Sequence, residues 1–357
     1  MTGDFIIIGG GIAGLSAAAR LSELGSVTLL EAEEALGYHA SGRSAALYEA
    51  AYGLPPTVAL NVASYDHHRA AGVLSPRGLM VLARADQRDA YRQDVAAMSL
   101  NEMTFEEAHA LVPVLNPETV AFAAHHDAAW DIDTDLLLQG FAREARARGA
   151  RILTRAPAIG ITRTRNGWEV ETPEGMHEGR VLINAAGAWV DRIATMAGVA
   201  PLGFTPLRRS MARIPAPGGH DLRHWPMIFG AGEGWYAKPD AGKLLVSPAE
   251  EDPAEPHDAW PDDMVLAEGL ARYEEMVTEP VTRLDSSWAG LRTFAPDRTL
   301  VIGFDAAQPA FFWLAGQGGY GMQTSPAASR LAADLIAGRT SELGADMVAA
   351  LSPARFR

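Results

Sequence analysis

The chain has 357 residues, enough to bury a large core and divide into about two domains. Its 48% apolar and 21% charged residues are those of an ordinary globular protein, while a formal net charge of −14 without a dense basic block excludes general nucleic-acid binding. With no cysteine, disulfides, thiolate metal sites, cysteine nucleophiles and cysteine-tethered cofactors are all excluded.

Phe5-Ile6-Ile7-Ile8 is an unbroken apolar run, the pattern of a parallel strand buried on both faces. It leads into Gly9-Gly10-Gly11-Ile12-Ala13-Gly14, which fits G-x-G-x-x-G. A helix is predicted over residues 15–24 with Gly25 to end it, then a strand over 27–30 leading to Glu31. Gly9 permits a tight turn, and Gly11, beside Ala13, lets backbone N–H groups approach a pyrophosphate at the positive helix pole. Gly14 lets the helix lie close on the strand, and Glu31, followed by Ala32, can accept hydrogen bonds from a ribose. The glycine spacing alone is weak, and its bland alternative is a merely tight strand-to-helix turn. Strand, glycines, helix, second strand and acid in register make a dinucleotide fold the reading. Glu31 argues against a 2′-phosphate, since two negative charges would be desolvated together. No apolar run approaches the roughly 18 residues that span a bilayer. The first strand starts within a few residues of Met1, which leaves no room for a signal peptide. A cytoplasmic location is therefore expected, with peripheral membrane contact left open.

Gly37-Tyr38-His39-Ala40-Ser41-Gly42-Arg43-Ser44-Ala45-Ala46 is small and polar with one cation, as suits a loop along a phosphate chain; the alternative is a solvated turn. Residues 38–53, YHASGRSAALYEAAYG, resemble D-arginine dehydrogenase and related bacterial D-amino-acid dehydrogenases of the FAD-dependent D-amino-acid oxidase superfamily. The resemblance implies FAD, held non-covalently, on the 9–31 unit. It also implies that Ala40, Ser41, Gly42, Arg43, Ser44, Ala45 and Ala46 surround the flavin phosphates and ring edge. Tyr52 would then stand in the substrate pocket.

Further on, a helix is predicted over residues 57–71, a strand over 78–82 and a helix over 96–112. His67-His68 and His125-His126 invite a metal hypothesis, but adjacent residues point apart and no third ligand stands at useful spacing, so no metal is expected. Asp133 is a predicted N-cap for a helix to about Arg148, with Gly149 as terminator. Strands are predicted over 151–154, 159–164, 168–172 and 181–184, the last ending in Ala185-Ala186-Gly187-Ala188-Trp189. The resemblance makes this stretch, with Gly187, a second contribution to the FAD domain and sets the backbone near Ala158 against the adenine. Residues 201–294 are expected to form antiparallel strands with turns at Gly218-Gly219 and Asp240-Ala241-Gly242.

Arg208 and Arg209 must face opposite ways on a strand, so only one can line a given pocket. By resemblance, Arg209, Tyr236 and Arg292 match carboxylate-binding residues; guanidinium groups and a phenol suit that task chemically. The strand over 311–315 meets Gly316-Gln317-Gly318-Gly319-Tyr320-Gly321-Met322-Gln323, which opens a helix to about Ala337. In the superfamily that positive pole faces the flavin, which implies cofactor contacts from Gly318, Tyr320, Gly321, Met322 and Gln323 and places Gly319 by the reacting atoms. The alternative is a tight turn without function.

The fold implied is α/β, a Rossmann-like FAD-binding domain (1–70, 134–195 and 296–357) interleaved with an antiparallel-sheet α+β substrate domain (71–133 and 196–295). The function implied is oxidative deamination of a D-amino acid, a small-molecule substrate, by hydride transfer from Cα to flavin N5. A flavin oxidoreductase for a 2-hydroxy acid or an N-methyl amino acid, and a flavin-binding protein without turnover, stand as alternatives. Oxygen and a quinone-type acceptor are both open as the oxidant. For the substrate side chain, the relatives' glutamate in the strand before Val81 is replaced by Leu79. Their pocket histidine and threonine, in the helix before Tyr52, align with Leu47 and Glu49. Weighing Leu47 and Leu79 above Glu49 predicts neutral, apolar substrates.

Overall fold

Two sheets organise the chain, and the computed structural model describes them over residues 3–356. The first begins with Gly3–Ile8, which pairs in parallel with Val27–Leu30 on one side and Gly175–Asn184 on the other. Arg151–Leu153 and Phe311–Ala315 extend this parallel run outward. Val301–Phe304 lies antiparallel against Phe311–Ala315, and the hairpin of Gly160–Arg163 with Trp168–Thr172 attaches to the start of Gly175–Asn184. The apolar run is continuous because both faces are covered. Phe5 and Ile7 pack with Leu15, Phe141 and Leu331 from three helices, while Ile6 and Ile8 pack on the opposite face with Leu182, Trp313 and Val190.

Those helices are Ile12–Leu21, Thr134–Ala147 and Gly321–Ile336. Asp133 caps the second by accepting the Leu136 N–H at 2.8 Å, and Gly149 follows its end at positive φ, as expected. The first helix starts at Ile12 and ends at Leu21, earlier than expected at both ends. Gly25 does not terminate it; a Cβ there would press on the Asp4 carboxylate at 2.6 Å, so the glycine answers a close approach.

The second sheet has nine strands. Thr205–Ile214 pairs antiparallel with Ser286–Phe294 along nearly its whole length and with Lys243–Ser247 at its end. Tyr236–Asp240 and Met227–Gly230 follow, and the latter runs parallel to Leu79–Ala83, which pairs with Phe122–His126. The Asp240-Ala241-Gly242 turn forms as a tight hairpin, with Ala241 and Gly242 both at positive φ. Gly218-Gly219 turns the chain but joins strands that do not pair with each other. The helix expected over 96–112 is instead two, Arg88–Met98 and Phe105–Leu111, separated by the strand Asn101–Met103. Ser99 in the left-handed region ends the first, and a Thr104–Glu107 capping box opens the second.

A small third sheet joins Leu47–Tyr48, Leu74–Pro76 and Trp130–Ile132. Leu47 therefore lies on a strand, not on the helix expected before Tyr52. Among the described residues no helix is long and apolar enough to cross a membrane.

Candidate active site

The glycine turn forms one end of a long cleft. Gly9 adopts φ of +109°, and a methyl group on Gly14 would overlap the Gly9 carbonyl oxygen, so the helix can sit this close only without a side chain. The amide of Ile12, in the first helical turn, donates to Ser41 Oγ at 3.0 Å, which pins the 37–46 loop to the helix start. Glu31 accepts the Gly10 N–H through Oε2 at 2.5 Å and the Glu33 N–H through Oε1 at 2.8 Å. Gly9, Gly11, Glu31 and Ala32 line this groove together with Ala40, Ser41, Ala158 and Gly187. Gly14 and Gly42 are not among the residues that line it; the Gly42 amide closes a turn on the Gly37 carbonyl at 2.7 Å.

Arg43 departs from expectation. Its guanidinium is tied to Asp258 at 2.5 Å and to the carbonyls of Ala259 and Ala289 at 3.1 and 2.9 Å. Its charge is thus balanced by a carboxylate far away in sequence, and it straps the 257–259 loop across the groove instead of presenting a free cation. His257 and Ala259 of that loop line the groove with it.

A second cavity runs from Gly11, Ala13, Ser44 and Ala45 to Arg209, Tyr236 and Arg292, passing Gly318, Gly319, Gly321 and Met322. Arg209 is 7% exposed, bonded to Glu251 at 3.2 Å and set over the Tyr236 ring at 5.9 Å, while Arg208 turns outward to Asp252 at 2.8 Å. Glu251 also accepts from Arg298 at 2.9 Å, which fixes it as the support of Arg209. Arg292 Nη2 lies 3.5 Å from the Tyr236 hydroxyl, and a Cβ on Gly319 would meet Arg292 Nη1 at 3.1 Å, so glycine leaves the guanidinium its space. Burial, and next the charge of Arg292, hold Arg209 below the ordinary arginine value. Burial opposes charge on Arg292 too, but Tyr236, Tyr52, Glu233 and Glu251 leave it above the ordinary value. Among the described residues no carboxylate lies within 4 Å of Arg292.

Beyond the arginines the cavity narrows to a pocket lined by Ala46, Leu47, Glu49 and Tyr52, facing Met227, Phe229, Glu233 and Gln323. The Tyr52 hydroxyl donates to Glu233 at 3.2 Å, and burial followed by that carboxylate pushes its titration upward. The Tyr52 ring leans on Phe229 and on Tyr320, with centroids 6.4 and 5.2 Å away. Tyr320 thereby supports the pocket from behind. Lys238, reaching the carbonyls of Ala45 and Ala46 and the Asp131 carboxylate at 3.0 Å, holds the loop that forms the pocket edge.

Two expected contacts are relocated. Leu79 is fully buried beside its register partner Met227 on the neighbouring strand, and it is Met227 that lines the pocket. Gln323 spends its side-chain oxygen on the Glu49 amide at 3.0 Å and so props the pocket. The histidine pairs serve other ends. His68 is buried with Nε2 against the Gln323 carbonyl at 2.9 Å, and His126 faces Glu49 at 3.0 Å. No metal-holding cluster occurs among the described residues. Glu233, Glu251, Lys238, Asp258, Met227 and Phe229 went unnoticed in the sequence, where nothing but their folded neighbours marks them.

The groove suits a dinucleotide: side chains are missing at the turn, a helix pole faces it, and a carboxylate stands on its wall. The family model described as FAD dependent oxidoreductase (DAO) matches residues 4–335. FAD-dependent oxidoreductase domain-containing protein 1 of Mus musculus is 25% identical over 411 aligned positions, covering 93% of this chain and 81% of that protein. Mitochondrial dimethylglycine dehydrogenase of Rattus norvegicus is 25% identical over 218, covering 55% of this chain and 25% of that protein. In fold, the chain superposes on glycine oxidase from Geobacillus kaustophilus with a TM-score of 0.84 at 22% identity, covering 99% of this chain and 98% of that one. With the match running through both sheets and both ends of the cleft, the chain belongs to the DAO family of FAD-dependent oxidoreductases, and its cofactor is FAD.

Proposed function

We propose that the protein oxidises the Cα–N bond of an amino acid, and of a D-amino acid in preference to its mirror image. The observation that carries this reading is Arg292, a guanidinium facing the cleft with no carboxylate within 4 Å among the described residues, beside Tyr236 and Arg209. A substrate carboxylate would supply the missing partner through paired, charge-assisted hydrogen bonds. Arg209, held by Glu251, adds a second guanidinium, while Tyr236 and Tyr52 add hydroxyl groups. Bound FAD supplies the hydride acceptor. The protein's share is to fix Cα in a near-attack geometry and to keep water out with the rings of Tyr52, Phe229 and Tyr320. Among the described residues no histidine lines the arginine cavity or the pocket, and a substrate amine that arrives neutral needs no base. The imino acid formed is hydrolysed by water to a 2-oxo acid and ammonia.

Support for the D enantiomer comes from residues 38–53 and their resemblance to D-amino-acid dehydrogenases. The partial match to dimethylglycine dehydrogenase favours an N-methyl amino acid as second reading, since the same carboxylate clamp would serve it. The interleaved domain division, the non-covalent attachment of FAD and a cytoplasmic location belong to the same proposal. The test is anaerobic mixing of the yellow holoenzyme with both enantiomers of an amino-acid panel and with N-methyl amino acids. Bleaching by D-amino acids is expected. FAD that stays oxidised against the whole panel sinks the reading.

A further inference from the structure

We infer that the far wall of the pocket is an acceptor site for a cationic group on the substrate side chain, with Glu49 as its carboxylate. The inference rests on the amino-acid reading above. Glu49 lines the pocket yet is only 5% exposed. Its Oε1 accepts the Ala51 N–H at 3.0 Å. Its Oε2 lies 3.0 Å from His126 Nε2 but off the line of a ring N–H, so this oxygen is buried without an aligned donor.

His126 brings no compensating charge. Its Nδ1 accepts the Ala128 N–H at 3.0 Å, a bond that an imidazolium, with hydrogen on both nitrogens, cannot accept. The ring is therefore neutral with its hydrogen on Nε2. Among the described residues no lysine or arginine lies within 4 Å of Glu49. The carboxylate is also held rigidly: its own amide donates to Gln323 Oε1 at 3.0 Å, and Asn61 Nδ2 bonds the carbonyls of Ala50 and Tyr52 at 3.2 and 3.0 Å.

A buried carboxylate calls for a cation or a full set of donors, and here the protein supplies neither. The arginines hold the opposite end of the same pocket, so a ligand carrying a carboxylate at one end and an ammonium or guanidinium at the other meets complementary charge at both. This reverses the preference for apolar substrates expected from the sequence. That expectation leaned on Leu79, which does not reach the cavity; Leu47 does, with Met227 and Phe229 opposite, but none of these apolar side chains answers the Glu49 charge.

The test compares isosteres that differ only in the terminal group: ornithine with norleucine, and lysine with 2-aminoheptanoate, each as the enantiomer that bleaches the holoenzyme. A kcat/KM ratio of about tenfold or more for the cation in either pair is expected, falling to about one in Glu49→Gln. Ratios below that in both pairs, or a ratio unchanged by Glu49→Gln, overturn the inference. If the variant does not retain FAD, the wild-type ratios decide. If no amino acid bleaches the flavin, the amino-acid reading itself has failed; if the uncharged isosteres bleach it as fast as the cations, only the present inference has.

Discussion

The nucleotide groove and the substrate pocket share a wall, but they are built by opposite means. In the groove, side chains are withheld: the Gly9–Gly14 turn and the small residues 40–46 expose backbone, leaving a cavity of about 410 Å³. In the pocket, long side chains converge from four separated segments, Tyr52, Arg209, Glu233 with Tyr236, and Arg292, and leave about 50 Å³. The groove's glycine turn is therefore local in sequence and carried by backbone geometry. The pocket's chemistry is non-local and carried by charge. Changes to one should spare the other, and the size of each effect measures how far that separation holds.

The largest effect is expected from Arg292→Ala. If Arg292 grips the substrate carboxylate as proposed, its removal should cost on the order of 2–5 kcal/mol of transition-state binding, read as kcat/KM, with FAD content unchanged. An amine lacking the carboxylate should be affected far less. Equal losses for both would show that Arg292 supports the scaffold.

Next comes the joint between the two regions. His68 donates through Nε2 to the Gln323 carbonyl in the first turn of Gly321–Ile336, the helix that meets the arginine cavity at Met322 and the pocket at Gln323. Burial lowers its pKa from 6.5 to about 4. Between those values the unfolded chain binds a proton that the folded one does not, so stability falls as pH falls. The contribution is complete above about pH 6.5 and lost progressively down to about pH 4, on the order of 3 kcal/mol in all. Melting temperatures between pH 7.5 and 4.5 should drop more steeply for the native chain than for His68→Gln. Parallel curves would show that His68 does not titrate out of register with the unfolded state.

These two tests also mark how far the sequence could be read. The strand, glycine turn, helix and Glu31 were legible because each answers a constraint set by its own neighbours: a buried strand, a close approach, a helix pole. Asp133 and Gly149 bounded their helix for the same reason. Residues 96–112 form no single helix because Thr104 and Glu107, a capping box readable from their spacing, start a second one. Along the cleft, residue identity alone could not say that Arg43 is neutralised by Asp258, that Arg209 leans on Glu251, or that Met227 lines the pocket in place of its strand neighbour Leu79. Those are pairings across the fold, and side-chain charge carries no record of its partner.

A smaller effect is expected from Gly14→Ala. The added methyl must push the helix Ile12–Leu21 off the turn at Gly9, since the carbonyl it meets is backbone and cannot swing aside. Overpacking of this kind costs about 1–3 kcal/mol. It should appear as weakened FAD retention and a lower melting temperature, while the substrate preference of whatever holoenzyme forms stays as it was. A changed preference would mean that the groove and the pocket are not separable.

The smallest effect concerns the ion pair that fastens the 257–259 loop over the groove. Asp258 belongs to the loop before the helix Asp263–Glu274, and its bond to Arg43 draws that loop over the groove. The pair is partly solvated, with side chains 17% and 41% exposed, so its direct worth is about 0.5–1 kcal/mol. Asp258→Asn keeps the shape but removes the charge, and should speed FAD release about two- to fivefold, an effect that shrinks as salt is raised. Arg43 would then carry an unbalanced charge beside the groove. If its proper task were to neutralise cofactor phosphate, freeing it from Asp258 should tighten FAD instead. Release slowed by Asp258→Asn would therefore restore the role expected for Arg43 from the sequence, while faster release identifies it as the fastening of the strap.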